Sequence, residues 1–321
     1  MTETDTTPRS PLTDQPWDVI VVGGGAAGLN AALVLARARR RVVVIDAGAP
    51  RNRFAAHMHG FLTRDGMSPL ELLELGRAEV RGYGAEIVHA TAVSAGGEAG
   101  AFTITLDDGR VLAGRRLLVA TGLRDELPDI PGLREQWGRG AVACPYCDGW
   151  EVRDRRIGVI ATSPMSTHQA GLVRQWTDDV TFIGPLTADL DPETRRGFEA
   201  RGTRILTPAI TEVLSDAAGV LTGVALDDGS TVDLDALFVG PRLVPNDELL
   251  RQLGAERVEG PMGEWTASDP TGLTSVPGVW VAGNTAAAHM LVIVAAASGL
   301  TAATVINADL VGDDTRQALT R

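Results

Sequence analysis

Cysteine, lysine and long apolar runs are what this 321-residue sequence has least of. Its two cysteines, Cys144 and Cys147, are too few for a disulfide-rich scaffold or a multi-thiolate metal site, so we expect no bound metal. All 29 basic residues are arginine, which excludes chemistry that needs a Schiff-base or Walker-type lysine. The longest uninterrupted apolar run, 290–297, is far shorter than the ~18 residues that span a bilayer.

The charge balance is acidic, with 41 acidic residues and a formal net charge of −12. Without a clustered basic stripe, such a chain should repel a phosphate backbone, so no nucleic-acid partner is expected. Residues 1–17 are polar and lack the apolar stretch of a signal peptide. These features predict a cytoplasmic protein with no membrane partner.

Residues 18–46 form the first strong pattern, which predicts a strand, a glycine turn, a helix and a second strand. In such a unit Gly23 makes the tight turn, Gly25 lets the backbone approach a pyrophosphate, and Gly28 allows the helix to pack on the strand. Asp46, at the end of the second strand, is placed to accept a hydrogen bond from a ribose hydroxyl. The pattern predicts a dinucleotide site.

The same layout returns 138 positions later, but without the residues that grip a dinucleotide. The shift places Ala161, Ser163 and Ser166 at the three glycine positions and Gly184 at the position of the acid. A side chain at Ser163 obstructs the approach of a pyrophosphate, and no arginine follows in 184–194 to take a 2′-phosphate. We therefore expect this second unit to have lost nicotinamide binding, although a divergent site can still bind.

The repeated units predict an α/β fold with two Rossmann-like, three-layer domains of the FAD/NAD(P)-binding type. Hairpins are predicted around 107–109 and 227–229, each leading into an apolar strand that ends on glycine. Proline-bearing stretches at 127–132 and 241–245 mark the crossings between the domains. We therefore predict a discontinuous first domain, 1–126 plus 245–321, with a second domain, 127–244, inserted in it.

Cys144 and Cys147 form a Cys-x-x-Cys pair, which in a chain of dinucleotide-binding units indicates a redox dithiol. Thiol–disulfide exchange needs a thiolate to attack and a proton for the leaving sulfur. Asp148 follows the pair directly and could move that proton, or it could cap the helix after Cys147.

Taken together, these motifs resemble low-molecular-weight thioredoxin reductases. The resemblance rests on residues 144–149, the glycine turn at 23–28, the strand end at 120–122 and the strand at 276–283, and covers about 17–310. It implies FAD in the first domain, a homodimer, Cys147 as the flavin-proximal thiol, Cys144 as the interchange thiol and Asp148 as the acid/base. The implied cofactor-binding residues are Gly23, Gly25, Ala26, Ala27, Gly28, Asp46, Ala47, Arg51, Asn52, His57, Ala120, Thr121, Gly122, Gly283 and Asn284.

Several departures from the family pattern change the expected reaction. The NADPH fingerprint is missing, Asn284 stands in place of an aspartate, and 290–292 replaces an aromatic-Arg-Gln stretch. These features are similar to the thioredoxin-reductase-like dithiol oxidases of the gliotoxin and holomycin type. That similarity implies that a small-molecule dithiol is closed to a disulfide and that electrons pass through FAD to O2, giving H2O2 without a nicotinamide.

Two other functions stay open. One is an NADPH-dependent thioredoxin-disulfide reductase, and the other is a flavin-binding redox sensor. Among the histidines, His57 and His59 alternate and either could take a proton from a substrate thiol, although His57 could equally be a surface or loop-packing residue. His59 and His289 lie in loops that the family folds around the flavin and are the candidates for catalytic proton transfer. His89 and His168 are expected to be structural.

Overall fold

The computed structural model describes residues 15–260 and 262–321. Most of the polar N-terminal stretch for which no signal peptide is expected, residues 1–14, lies outside the described residues.

Both halves of the chain combine strand–helix–strand units with runs of consecutive strands. The strands are β1 Trp17–Val22, β2 Val42–Asp46, β3 Glu86–His89, β4 Ala92–Gly96, β5 Phe102–Leu106, β6 Val111–Val119, β7 Leu123–Glu126, β8 Ala141–Val142, β9 Ile157–Ile160, β10 Val180–Ile183, β11 Arg204–Leu206, β12 Ile210–Ser215, β13 Leu221–Leu226, β14 Thr231–Asp233, β15 Ala236–Val239, β16 Arg242–Pro245, β17 Arg257–Gly260, β18 Gly263–Thr266 and β19 Val279–Val281. The helices are α1 Ala26–Arg37, α2 Pro69–Gly82, α3 Leu133–Gln136, α4 Pro145–Asp148, α5 Met165–Val173, α6 Pro192–Ala200, α7 Glu248–Gln252 and α8 Val292–Leu319.

The first sheet has the strand order β3-β2-β1-β6-β5-β4, with β19 also paired to β6. β1 runs parallel to β2 and β6, so that Val21 lies opposite Val44 and Leu118. Every residue of β2 is buried, as expected for a parallel strand that is covered on both faces. The strand–turn–helix–strand predicted for 18–46 is confirmed. From β1 the chain passes to β2 on one side, while β6 pairs with β1 on the other side, so the order of strands in the sheet reverses at β1. In open α/β sheets, ligands bind at the carboxyl ends of the strands at such a switch point.

Helices α1 and α8 cover one face of this sheet. Leu35 of α1 and Ile306 and Leu310 of α8 are fully buried in the same apolar cluster. The two helices approach so closely that a Cβ on Gly299 would lie 2.0 Å from the carbonyl oxygen of Ala27. This packing fixes the N-terminal turn of α1, where the predicted dinucleotide site lies.

The second sheet repeats the design in shorter form. Its strand order is β11-β10-β9-β15-β8, and all its pairs are parallel. A three-stranded antiparallel sheet, β12-β13-β14, carries the predicted hairpin at 227–229, and the hairpin at 107–109 joins β5 to β6. The structure therefore confirms the predicted α/β class with two dinucleotide-type sheets.

The chain divides into two compact units, which we call the first and second units. The first unit holds the chain up to Pro50, Leu73–Leu123 and Pro245–Arg321, and the second holds Arg51–Leu72 and Arg124–Val244. The sequence analysis put residues 51–72 in the first domain, whereas their contacts group them with the second unit. Arg51 pairs with Asp125 at 2.6 Å, and Gly138 packs directly on Phe54, so the segment makes its contacts within the second unit.

Helix α8, with 28 residues, is the longest of the helices in the described part of the chain. By length and composition alone it is long and apolar enough to cross a membrane, which by itself is weak evidence for a membrane span. One side of the helix, with Ala302, Ala303, Ile306 and Leu310, is buried in the apolar cluster of the first sheet. Asp309 pairs with Arg116 and Asp313 with Arg115, so its C-terminal half is tied to β6 by ion pairs.

Candidate active site

Cys144 and Cys147 are joined by a disulfide across a one-turn helix. Cys144 is the extended residue before α4, and the two Cα atoms lie 5.2 Å apart. Pro145 suits the first helical position, which has no use for a backbone N–H. The N–H groups of Cys147 and Asp148 donate to the Cys144 carbonyl oxygen at 3.0 and 3.1 Å. The sulfurs are thus held in a fixed turn, as a disulfide that a thiolate can reopen.

Asp148 is the titratable group nearest in sequence to this disulfide. Its burial, together with the charge of Glu151, raises the pKa of Asp148 from 3.8 to about 6, and the charge of His59 acts in the opposite direction. Asp148 is the last residue of α4, and Cys144 holds the N-cap position of that helix, so the Asp148 carboxyl group does not cap it. A carboxyl group with this pKa can accept and release a proton near neutral pH.

His59 lies between two carboxylates of the second unit. Its Nδ1 is 3.3 Å from Oδ2 of Asp65, and its Nε2 is 3.3 Å from Oε1 of Glu151. The backbone N–H of Gly60 and the His59 ring together lower the pKa of Asp65. His57, two residues earlier, is exposed, and its Nδ1 faces the Gly66 carbonyl oxygen at 2.9 Å. Only His59 of this pair is therefore brought to the group around Asp148.

Two residues that the sequence analysis missed support the disulfide turn. Gln169 of α5 donates from Nε2 to the carbonyl oxygen of Ala143 at 2.7 Å, directly before Cys144. The ring of Trp176 lies against Gly149, where a Cβ would come within 2.8 Å of it. No sequence pattern near the turn indicates either residue, because each lies more than twenty residues from the turn along the chain. Glu151 was also missed, although its position three residues after Asp148 on a helical turn could have indicated it.

The glycine turn of the first unit has the steric character that a phosphate site needs. At Gly23, φ is +110° and a Cβ would lie 2.2 Å from the Ala120 oxygen, while a Cβ on Gly28 would lie 1.8 Å from the Gly23 oxygen. A Cβ on Gly25 would meet nothing within 4 Å, so it would project into open space at the start of α1. That open space before a helix N-terminus fits a pyrophosphate group. Ala26 and Ala27 form the first turn of the same helix.

Asp46 is buried at the carboxyl end of β2, as predicted, but it already has a partner. Arg77 of α2 donates to its Oδ2, and the backbone N–H of Gly48 donates to its Oδ1 at 2.9 Å. A Cβ on Gly24 would lie 2.4 Å from the same carboxyl group, so the turn and the acid are in direct contact. Ala47, next along the chain, is exposed. Arg77 is a site residue that the sequence analysis did not identify.

The strand ends at 120–122 and 281–284 meet through side-chain hydroxyls. The N–H of Gly122 donates to Oγ1 of Thr285 at 2.6 Å, and Thr121 Oγ1 donates to the Asn246 carbonyl oxygen at 2.5 Å. At Gly283 φ is +66°, and a Cβ would lie 2.9 Å from that of Ala27. Gly283 therefore brings this strand end against the first turn of α1.

Asn284 follows and turns its amide inward. Its Nδ2 lies 3.1 to 3.2 Å from the carbonyl oxygens of Ala287, Ala288 and Met290, so its donor group holds its own loop. Its Oδ1 is the atom left for a cofactor. His289 lies in the same loop and is exposed.

Arg51 and Asn52 were predicted to bind the cofactor together with the glycine turn. In the structure the guanidinium of Arg51 makes a two-pronged ion pair with Asp125, through Nε at 2.8 Å and Nη2 at 2.6 Å. Asn52 lies in the same 3₁₀ turn, Arg51–Phe54. Both residues belong to the second unit together with His57 and His59. The predicted residues therefore form two groups, one in each unit.

The second unit closes its own phosphate position with a side chain. Ser166 Oγ accepts hydrogen bonds from the backbone N–H of Thr162 at 3.1 Å and of Ser163 at 3.2 Å. In the first unit the corresponding position, Gly28, has no side chain. The N–H groups that could face a pyrophosphate are thus already satisfied from within the turn.

Comparison with known proteins places the chain among disulfide oxidoreductases. Residues 17–299 match the family described as pyridine nucleotide-disulphide oxidoreductase. A protein named thioredoxin reductase sirT, from Leptosphaeria maculans, is 31% identical over 93% of this chain and 95% of its own length. Thioredoxin reductase tcpT, from Claviceps purpurea, is 32% identical over 92% and 95% of the two chains. The crystal structure of HlmI is similar with a TM-score of 0.90 and 48% identity, covering 97% of this chain and 98% of that one.

Proposed function

The chain belongs to the pyridine nucleotide-disulphide oxidoreductase family as a thioredoxin-reductase-like flavin disulfide oxidoreductase, and we propose that it is a dithiol oxidase. In this proposal the Cys144–Cys147 disulfide takes two electrons from a small-molecule dithiol, which leaves as an intramolecular disulfide. The observation that carries the proposal is a redox disulfide beside a proton-accepting carboxyl group, in a unit whose own nucleotide turn is plugged by Ser166.

The first unit offers a fitting site for FAD. The open space at Gly25 would take the pyrophosphate, and Asp46, held by Arg77, would accept from a ribose hydroxyl. Asn284 Oδ1 and the backbone at Gly122 and Gly283 are the polar groups at the neighbouring strand ends. When bound, FAD would accept the electron pair from the reduced cysteines and pass it to O2, giving H2O2.

The exchange itself uses groups of the second unit. Asp148 accepts the proton of a substrate thiol, and the resulting thiolate attacks Sγ of Cys144, so that Cys147 leaves as a thiolate. The second substrate thiol, after losing its proton, attacks the substrate sulfur that is bonded to Cys144. The product disulfide forms and Cys144 leaves as a thiolate. Two electrons have then moved from the substrate to the cysteine pair, and two protons have left the substrate thiols.

Exposed aromatic rings beside the disulfide favour a small, flat, uncharged substrate. Tyr146, between the cysteines, is 66% exposed, and Trp150, three residues after Cys147, is 65% exposed. Tyr146 is held edge-on to Trp176, with ring centroids 5.9 Å apart, so its orientation is fixed. Rings of this kind provide contact area at low entropic cost. Asp148 and Glu151 beside them would repel an acidic protein partner.

Independence from nicotinamide is supported by the Ser166 hydrogen bonds, which use the two N–H groups of the turn. After β10, Asp191 caps α6 by accepting from the N–H groups of Glu193 and Thr194, and the Arg195 guanidinium of that helix is already engaged with the Thr187 carbonyl oxygen at 2.7 Å. An acid at this place would repel a 2′-phosphate.

The competing candidate is an NADPH-dependent thioredoxin-disulfide reductase, which the names of the fungal relatives favour. Anaerobic addition of a small dithiol, and separately of NADPH, distinguishes the two. We expect the flavin spectrum to bleach rapidly with the dithiol and not with NADPH. Rapid bleaching by NADPH alone, followed by turnover with thioredoxin, would overturn the oxidase.

The cellular setting follows from the same proposal. We place the protein in the cytoplasm as a homodimer whose partners are the dithiol and O2, without nucleic acid or membrane. Steady-state oxygen uptake that requires a dithiol, with H2O2 formed in equal amount, tests the electron acceptor. A redox sensor would show reduction of the flavin without multiple turnover.

A further inference from the structure

Gln169 of α5 has an amide group of which only one end is in use. The side chain is buried, with 9% of the residue exposed. Its Nε2 donates to the Ala143 carbonyl oxygen at 2.7 Å, directly before Cys144. Its Oε1 is buried as well but has no hydrogen-bond partner among the described residues. A buried acceptor without a donor costs free energy, so its presence beside the disulfide turn needs a physical reason.

The oxidation state of the cysteine pair supplies this reason. A disulfide has no hydrogen-bond donor, whereas each thiol of the reduced pair carries an S–H. The two polar atoms of one amide group are roughly 2.2 Å apart, so Gln169 Oε1 lies within about 5 Å of the Ala143 carbonyl oxygen. Helix α5 also packs on α4, which carries the second cysteine. Reduction therefore creates the nearest new donor along the chain at Cys144, the residue that follows Ala143.

Other buried polar atoms without a partner do not match a thiol in this way. In the described residues they include Oγ1 of Thr203, Oγ1 of Thr266 and Nε1 of Trp280. A hydroxyl group donates as well as accepts, and an indole N–H only donates. Thr266 and Trp280 also belong to the first unit, and Thr203 directly precedes β11. Among these atoms, Gln169 Oε1 is the one that only accepts and that belongs to a residue bonded to the disulfide turn.

We propose, on the basis of the proposed dithiol exchange, that Gln169 is a positioning residue that stabilises the reduced cysteine pair. Its Nε2 holds the backbone before Cys144 in both oxidation states. Once the electron pair of the substrate dithiol has opened the Cys144–Cys147 bond, the Cys144 thiolate takes up one of the two protons that the substrate released, and the other goes to solvent. The new S–H of Cys144 then donates to Gln169 Oε1. Because this hydrogen bond exists only in the reduced state, it favours electron flow from the substrate into the cysteine pair.

The redox equilibrium of the cysteine pair tests this role with a matched control. Gln169→Leu removes both ends of the amide group, whereas Gln136→Leu removes another buried amide of the second unit, which donates to Ser215 Oγ and to the Gly219 carbonyl oxygen. Each FAD-loaded protein is equilibrated anaerobically with mixtures of reduced and oxidised dithiothreitol, and its thiols are counted after acid quench and alkylation.

We expect Gln169→Leu to shift this equilibrium toward the disulfide by at least about threefold, which is roughly 14 mV for the two-electron couple. The bond to Ala143 is present in both oxidation states, so its loss should lower stability without moving the potential. Gln136→Leu should keep the wild-type equilibrium. No shift in Gln169→Leu, a shift toward the dithiol, or an equal shift in the control would overturn the proposal.

The S–H stretch of Cys144 gives a second measurement, which the wild-type protein alone can fail. Infrared spectra of the anaerobically reduced, FAD-loaded protein should contain a Cys144 band, assigned by its loss in Cys144→Ser, at the lower frequency of a thiol that donates a hydrogen bond. Gln169→Leu should return this band to a higher frequency. A wild-type band at the frequency of a thiol that donates no hydrogen bond would overturn the proposal, even if the Gln169 variant does not fold.

These measurements also separate the role of Gln169 from the proposed function, because neither needs catalytic turnover. If Gln169→Leu shifts both the equilibrium and the S–H band but no small dithiol supports oxygen uptake, the role of Gln169 stands and the oxidase fails. If dithiols are oxidised and neither the equilibrium nor the band changes in Gln169→Leu, the role of Gln169 fails and the oxidase stands.

Discussion

Arg77 donates to Asp46 through two nitrogens, Nε at 3.2 Å and Nη2 at 2.9 Å, and both bonds end on Oδ2. Both side chains are largely buried, with exposed fractions of 13% and 8%. The carboxyl group is therefore fixed in orientation, and its charge is balanced before any ligand arrives. An acid that is held in this way loses less entropy when it binds a ribose hydroxyl.

Replacing Arg77 by Met should weaken FAD binding without touching the glycine turn. Asp46 would lose two charge-assisted hydrogen bonds, and one bond of this type contributes about 1.5–3 kcal/mol. We therefore expect FAD to bind at least about tenfold more weakly. Flavin retained after gel filtration and the dissociation constant from calorimetry measure the effect. Arg81→Met, on an exposed position of the same helix, is the control. Equal retention in both variants would show that Arg77 does not support the cofactor site.

Two glycine substitutions should separate cofactor binding from folding. Gly25→Ala places its methyl group in open space, so the protein should fold with nearly unchanged stability but lose FAD, because the methyl group occupies the phosphate position. Gly28→Ala places its methyl group 1.8 Å from the Gly23 oxygen and should destabilise the fold, by about 2 kcal/mol or more. Thermal unfolding of the apoprotein and FAD titration measure the two effects. If the Gly25→Ala protein binds FAD as tightly as the wild type, the pyrophosphate does not bind at this position.

The raised pKa of Asp148 makes both stability and exchange depend on pH. The carboxyl group keeps its proton up to about pH 6 in the folded protein but only to about pH 3.8 in the unfolded chain. Ionisation therefore costs stability above pH 6 and costs nothing below pH 3.8. Asp148→Asn should stabilise the protein by roughly 1–3 kcal/mol at pH 8 and have little effect at pH 4.

The same variant should slow dithiol exchange by about a hundredfold or more at pH 8, because no base remains to take the thiol proton. The wild-type rate should rise with pH through an apparent pKa near 6, and this limb should be absent in Asp148→Asn. Denaturant unfolding at the two pH values and quenched exchange rates are the measurements. A variant that is less stable at pH 8 and keeps the acid limb would contradict the assignment.

The glycine turn and the cysteine pair could be predicted from the sequence because their requirements are local. Gly23 and Gly28 are needed by steric contacts within one strand–helix connection, and the disulfide lies within one turn. Arg77 and Gln169 could not be predicted, because their partners Asp46 and Ala143 lie 31 and 26 residues away and no pattern links them. Such contacts depend on how separate elements pack.

The grouping of residues 51–72 with the second unit could not be predicted for a related reason. The loop follows β2 directly, so sequence order places it with the first domain, whereas the ion pair of Arg51 with Asp125 places it with the second unit. Loss of the dinucleotide fingerprint at Ser166 was visible in the sequence. The sequence did not show that the Ser166 hydroxyl would accept hydrogen bonds from two N–H groups of the turn, because this depends on the side-chain rotamer and the local backbone.

The two cysteines should behave differently when each is replaced by serine. In the proposed exchange Cys144 receives the substrate and Cys147 leaves as a thiolate, and the family resemblance implies that Cys147 is the flavin-proximal thiol. Cys144→Ser should therefore leave a thiolate at Cys147 and give the FAD-loaded protein a long-wavelength charge-transfer band, which should bleach on acidification as the thiolate is protonated. Cys147→Ser should lack the band, although its remaining thiol at Cys144 should react with a maleimide. Absorbance spectra at pH 5 and pH 8 make the comparison. Equal spectra for the two variants would remove the assignment of roles, and a band only in Cys147→Ser would reverse it.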